Sequence, residues 1–496
     1  MKKLFFFILL SLPLITFQAC EKRLDIVPAS VSPESLILSS VDGLNGGLNF
    51  AYQQLHTDLG RHFTIWSELL SDHLLVRGGA VLPTQQFIYD RNLDAVATEP
   101  VSSTDPRLVS DVRLRDMYNC VNTAALILRA CENGLAESDL TYADNKDRIM
   151  GECYFLRAVC HFELVRYWAL PWGTTADNSH PGIIINEQPV DDRISQIKPR
   201  ASVAKVYEFI IRDLQKADSL LPETFVQGVH SGVYKGRAYR DAAKGFLAKV
   251  YFQQGNYVQA KEMIDQLIGS TPGVITGYPL QASLTQLFSA RGAENTDPEC
   301  IYQTTSSTAI NASQATYWNS TNPESIYPRS ATVASKGIAT MQFITDAHFY
   351  PQDLRLTLFK TLSDGRISPT KYCLVDFFNI PLIRSAEMVL DRAEIYASDN
   401  RLEDAVADCN TVRQRAQIPL LTIPISKEAL LDSIRTERIR ELCFEGDRLH
   451  DLRRKKQMVL PGERAGIQPL AWNSKDLVLK YSQEDMARNP QLENNY

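Results

Sequence analysis

Residues 242–270 can be laid over residues 387–415 at an offset of 145, aligning Ala248 with Ala393, Tyr251 with Tyr396 and Ala260 with Ala405. In each copy the tyrosine closes one helix. Gly255 or Asn400 follows, the two residue types that most readily turn left-handed past a helix end. Tyr257 or Leu402 then opens a second helix, and the alanine three residues on lets the paired helices approach closely. Each copy therefore reads as a helical hairpin. Apolar residues keep the helical period over 109–132, 142–170, 201–221, 238–268, 381–416 and 427–445, and strand alternation is scarce. Between these stretches lie Pro, Gly and polar segments, notably Pro171 to Pro199 and Gln303 to Ser325, where 13 of 23 residues are Ser, Thr or Asn. The expectation is a mostly α chain, a helical repeat scaffold interrupted by long irregular loops.

The first residues stand apart from that scaffold. Lys2 and Lys3 precede an apolar stretch from Leu4 to Ile15, too short to span a bilayer core of roughly 30 Å as a helix. The following Thr16-Phe17-Gln18-Ala19-Cys20 sets a small residue directly before a cysteine, as bacterial lipoprotein signals do. Residues 1–19 then form a signal peptide, and Cys20 becomes a lipidated first residue. One acyl chain holds weakly, at roughly 0.8 kcal/mol per buried CH₂, so several chains on one cysteine anchor a water-soluble body stably.

The chain carries 52 basic and 58 acidic residues, a formal charge of −6. That balance offers no basic surplus for a phosphate backbone and excludes nucleic acid as a partner. Cys120, Cys131, Cys153, Cys160, Cys409 and Cys443 all fall in helical apolar patterns, where a thiol behaves as a small hydrophobe, so they are expected as buried free thiols. There is no C-x-x-C and no H-x-x-x-H pair, so no metal site is expected. G-x-S-x-G, Walker A and H-E-x-x-H are also absent, and the sequence carries no catalytic constellation or cofactor fingerprint.

The hairpins resemble the tetratricopeptide repeat, whose helical pairs stack into superhelices that bind rather than catalyse. Four further segments, in order, are similar to the SusD/RagB family. They are Gly151-Glu152-Cys153-Tyr154-Phe155-Leu156-Arg157-Ala158 with the corner Leu170-Pro171-Trp172-Gly173; Ala242-Ala243 through Tyr251; Ile383-Arg384-Ser385-Ala386-Glu387 through Glu394; and the stretch from Glu437 to Arg454. The last is the most specific, departing from the family only at Leu449-His450, where an aromatic pair is usual. Read physically, it is a helix ended by Gly446 whose chain folds back, bringing Arg448, Arg453 and Arg454 towards Glu437, Glu441 and Glu445.

The resemblance implies a SusD-like N-terminal part over 20–270 and a C-terminal part over 271–496 with ligand-loop insertions. It also implies a non-catalytic, palmitate-bearing nutrient-binding lipoprotein of the outer membrane, facing the cell surface. Its partner would be a SusC-type TonB-dependent transporter, and its ligand an oligosaccharide or, in the RagB branch, a peptide. A tetratricopeptide-type protein-interaction scaffold is the alternative. After Cys20 the order Glu21-Lys22-Arg23 has one acid and two bases, fewer acids than outer-leaflet export favours in such bacteria.

A glycan site needs exposed aromatic platforms beside hydrogen-bonding side chains. Trp66, Trp168, Trp172 and Trp472 lie in apolar or corner settings, which points to packing. Tyr317-Trp318-Asn319 sits inside the polar 303–325 stretch with no apolar period to bury it, which makes these three residues the first ligand candidates. Phe87 and Tyr89, near Arg91 and after the Gly78-Gly79 turn, are the second.

Overall fold

The computed structural model describes residues 34–76, 83–94, 108–191, 197–224, 236–289, 297–304, 337–372 and 378–495. Its main helices are α1 (Val41–Asp58), α2 (Thr64–Leu70), α3 (Leu108–Glu132), α4 (Tyr142–Trp168), α5 (Val203–Leu220), α6 (Arg240–Gln254), α7 (Tyr257–Ile268), α8 (Ser385–Ser398), α9 (Leu402–Arg415), α10 (Lys427–Leu442), α11 (Arg448–Arg454) and α12 (Gln483–Arg488). The periodic stretches of the sequence correspond to α3 through α10.

Both hairpins form as expected. Gly255 ends α6 at φ 74°, its N–H returning to Tyr251 and Phe252 carbonyls, and Asn256 caps α7 by accepting from the Gln259 N–H. Asn400 takes φ 61° between α8 and α9. Helices pack in chain order: α3 on α1 and α4, α4 on α5, α5 on α6, α6 on α7, α7 on α8, α8 on α9, and α10 against both α8 and α9. This neighbour-on-neighbour stacking is compatible with a tetratricopeptide-like array.

The core is aromatic at the junction of α2 and α4. Trp66 and Trp168 are both fully buried with ring centroids 6.2 Å apart, and Phe63 stands 5.2 Å from Trp66. Cys120, Cys131, Cys153, Cys160, Cys300, Cys409 and Cys443 are buried free thiols. No helix among the described residues is long and apolar enough to cross a membrane.

Three antiparallel two-stranded ribbons interrupt the helices: β1 (Leu74–Val76) with β3 (Gly337–Ala339), β2 (Cys300–Thr304) with β6 (Ile380–Arg384), and β4 (Phe359–Thr361) with β5 (Ile367–Pro369).

Residues from 453 onward bind back onto the first half. The last carbonyls of a helix have no partner within it. At the end of α4, Arg166 O accepts from Arg453, Tyr167 O from the Leu479 N–H, and Trp168 O from the Asn495 amide. At the end of α2, Arg464 donates to Leu69 O and Ser71 O, and Arg91 donates to Leu70 O. Cationic side chains at a helix C-terminus also oppose its negative dipole end.

Candidate functional site

The candidate segment around Trp318 joins β2 to β3, so the ribbons fix where it leaves and where it returns. Val76 ends β1 in register with Gly337, the first residue of β3, and Thr304 ends β2 in register with Ile380, the first residue of β6. The Ser368 hydroxyl donates to Gly337 O, and the Tyr372 ring stands 5.4 Å from that of Phe378, so the ribbons share one border. Tyr317, Trp318 and Asn319 themselves lie outside the described residues, as does Cys20.

The second pair of candidates is corrected. Phe87 and Tyr89 are only 7% and 6% exposed, so neither offers the open ring face that stacking on a sugar requires. Tyr89 instead accepts the Val76 N–H at 3.1 Å, and the Arg464 guanidinium covers its ring at 4.3 Å. The two residues lie on one short helix, Pro83–Tyr89, that turns them into the core beneath the segment root. Arg91, at φ 54°, sits beside them; burial and the nearby Arg464 charge push its guanidinium down to about 9.

At the other end of β6 from this border lies a buried ion-pair network. Arg384, at the end of β6, donates from Nη1 to Glu299 at 2.7 Å and to Glu441 at 2.6 Å, and from Nε and Nη2 to Glu445 at 2.8 and 2.9 Å. Arg415 joins Glu299 to Glu441, and Arg355 joins Glu437 to Asp353. Burial alone would raise the Glu441 carboxyl, yet Arg415, Arg384, Arg355 and Lys371 together hold it well below the usual carboxylate range.

The network expected from the Glu437 to Arg454 stretch is thus present, but with other partners. Arg448 grips Asp72 at 2.8 and 3.0 Å, Arg454 pairs with Glu394 and Asp451, and Arg453 donates to carbonyls. Because α11 turns away from α10 after Gly446, its arginines face α2, α4 and α8 rather than the glutamates that precede them in sequence.

These groups are engaged chiefly with one another. The cavity beside Arg384, Glu445 and Asp447 holds about 60 Å³, far below the roughly 300–1,000 Å³ of small-molecule sites. Asp72, His73 and Asp346 bring donor atoms within 4.8 Å of one another, but the Arg448 guanidinium already bridges both carboxylates. Burial and that same arginine also push the His73 imidazole down.

Comparison with known proteins places this architecture. A family model described as starch-binding and associating with the outer membrane matches residues 86–252, and the SusD family model matches 378–496. The chain is 24% identical over 507 residues to SusD-like protein P38 of Formosa agariphila, covering 92% of this chain and 91% of that protein. Among solved structures, it is similar to a putative sugar binding protein from Bacteroides vulgatus, with TM-score 0.73, 21% identity, and coverage of 92% and 98% of the two chains. A SusD superfamily protein from Bacteroides thetaiotaomicron gives TM-score 0.73 at 20% identity, covering 92% of this chain and all of the other. The SusD family match over 378–496 takes in Arg384, Arg415, Glu441 and Glu445, and together with the match over 86–252 it places the chain in the SusD/RagB family.

Proposed function

We propose that this protein is a non-catalytic, lipid-anchored binding protein that captures oligosaccharide at the outer membrane and passes it to a SusC-type TonB-dependent transporter. The observation that carries this reading is the pair of family matches, one of them described as starch-binding and outer-membrane associating, over a helical array built for binding. The Tyr317-Trp318-Asn319 group, on a segment that leaves one ribbon and returns to another, supplies an aromatic platform with an amide beside it.

Extraction of outer membranes in mild detergent tests the transport reading. The protein is expected to co-purify with a large β-barrel transporter; repeated recovery without any barrel, under conditions that preserve such complexes, would overturn it.

Anchoring has its own test. Cys20→Ala is expected to leave the protein unprocessed or released, and detergent phase partitioning reads the change. Wild-type protein found wholly in the aqueous phase would show that Cys20 carries no lipid.

For the ligand, Trp318→Ala is expected to weaken oligosaccharide binding severely while leaving the thermal midpoint unchanged. Loss of an aromatic platform costs roughly 0.5–1.5 kcal/mol beyond the lost area, enough to bring a weak saccharide complex below detection. Unchanged affinity in calorimetric titration would remove Trp318 from the site, and a large fall in midpoint would make it a packing anchor.

A further inference from the structure

A groove of about 380 Å³ opens between α3, the segment 184–190 and the residues 481–492, on a different set of elements from the ribbon border. Its volume falls within the roughly 300–1,000 Å³ of small-molecule sites, unlike the cavity in the ion-pair network. The apolar lining comes from Leu114, Tyr118, Ile184, Tyr481 and Leu492. Leu114, Tyr118 and Asn122 lie four residues apart, so they share one stripe of α3.

The polar lining is rich in side chains with hydrogen-bonding capacity to spare. Tyr481 is 1% exposed, and its hydroxyl has no hydrogen-bond partner among the described residues. A buried hydroxyl without a partner is costly, and an open groove beside it is where a partner can arrive. Asn122, which lines the groove, uses Oδ1 to accept the Val190 N–H at 2.7 Å and keeps its NH₂ as a further donor. Asn119 is an exposed amide on the same helix.

The lining charges oppose one another. Arg115 and Arg488 stand with Asp485, and Arg115 also acts electrostatically on Asp111. Asp111 is buried, which together with the Asp485 charge pushes its carboxyl up to about 7. A ligand of strong single charge would meet repulsion from one side or the other, whereas uncharged hydroxyls can both donate to the carboxylate and accept from guanidinium and amide. Among the described residues no strand borders the groove, which offers no sheet edge there to which an extended peptide could add.

We propose that this groove is a second saccharide-binding site, seating one end of a short neutral oligosaccharide against Tyr118 with its hydroxyls on Tyr481, Asn119 and Asn122. This rests on the oligosaccharide reading above and adds a site independent of Trp318. Tyr481 is the residue most specific to it, since its hydroxyl hydrogen-bonds to none of the described residues.

The test is a calorimetric titration of residues 21–496 with maltotriose, xylotriose, mannotriose and chitotriose, repeated on Asn119→Trp, Tyr481→Phe and Trp318→Ala. Asn119→Trp fills the groove from an exposed helix position and should keep the wild-type thermal midpoint, while Tyr481→Phe removes a buried hydroxyl with no partner among the described residues and should match or exceed it. The expected result is two binding events in wild type: the groove event is weakened at least tenfold by Asn119→Trp and three- to tenfold by Tyr481→Phe, and it persists unchanged in Trp318→Ala, which loses only the other event. Saccharide binding that is lost in Trp318→Ala and untouched by both groove variants would overturn the groove while leaving the oligosaccharide reading intact. Absence of binding by all four trisaccharides would overturn both.

Discussion

Arg384→Ala is expected to destabilise the protein by roughly 3–5 kcal/mol, the range for breaking a buried ion pair, and to lower the thermal midpoint on the order of 10 °C. The guanidinium is 2% exposed and pairs with Glu299, Glu441 and Glu445 at once, so its removal takes a shared cation from three buried carboxylates in a space too small for bulk water. The pH dependence carries a sign that can be checked. Glu441 is held below its unfolded value of about 4.3, so its contribution is fully present above that pH and is lost as pH falls from there through the lower folded value. Wild type should therefore lose stability steeply on acidification below about pH 4, and Arg384→Ala should lose less from its lower starting point. A midpoint within experimental error of wild type at neutral pH would show that the network contributes nothing.

Gly446→Ala is the second large effect, expected at about 2–4 kcal/mol. Two costs add. The residue sits at φ 85°, where an L side chain is disfavoured by about 1–2 kcal/mol. A Cβ there would also lie 3.0 Å from Thr64 Cα and 3.2 Å from Thr64 O, backbone atoms of α2 that cannot swing aside, and overpacking of this kind costs about 1–3 kcal/mol. The Gly446 N–H donates to Glu68, a carboxyl that burial pushes up to about 8 and that has few other partners, so displacement of the turn disturbs a second buried group. Gly466→Ala is the matched control, because Gly466 has a similar φ of 78° but nothing within 4 Å of its added Cβ. Equal losses at the two glycines would show that the Thr64 contact is unimportant.

What could be read in the sequence divides along physical lines. Helical period and left-handed closers are local, and the hairpins, the buried thiols and the packing roles of Trp66 and Trp168 were all legible from them. Helix α1 was not, because Gly43, Gly46 and Gly47 weaken its helical signal. Gly47 has a tertiary reason instead: a Cβ would lie 3.0 Å from the Ile127 side chain of α3.

Ion-pair partners were illegible for the converse reason. Proximity in sequence suggested Glu437, Glu441 and Glu445 for the arginines of α11, but Arg448 meets Asp72, 376 positions away. Phe87 and Tyr89 stand out as ligand candidates in the sequence because a short helix after two glycines gives little periodicity to signal burial, yet tertiary packing claims both rings. The groove residues come from three stretches more than sixty positions apart, each unremarkable alone, so no local signal marks them.

The clasp formed by residues 453–495 on the ends of α2 and α4 bears on when this chain can fold. The hydrogen bonds that finish α4 at Arg166, Tyr167 and Trp168 come from Arg453, Leu479 and Asn495, contacts of very long sequence separation. Such contacts are made late, because the whole intervening loop must be ordered before they are rewarded. While the chain is still emerging from a ribosome or a translocation channel, its first half has its helices but not their closing partners. An exported protein benefits from that delay, since a body that cannot lock before its last stretch arrives stays threadable through the channel until the crossing is complete.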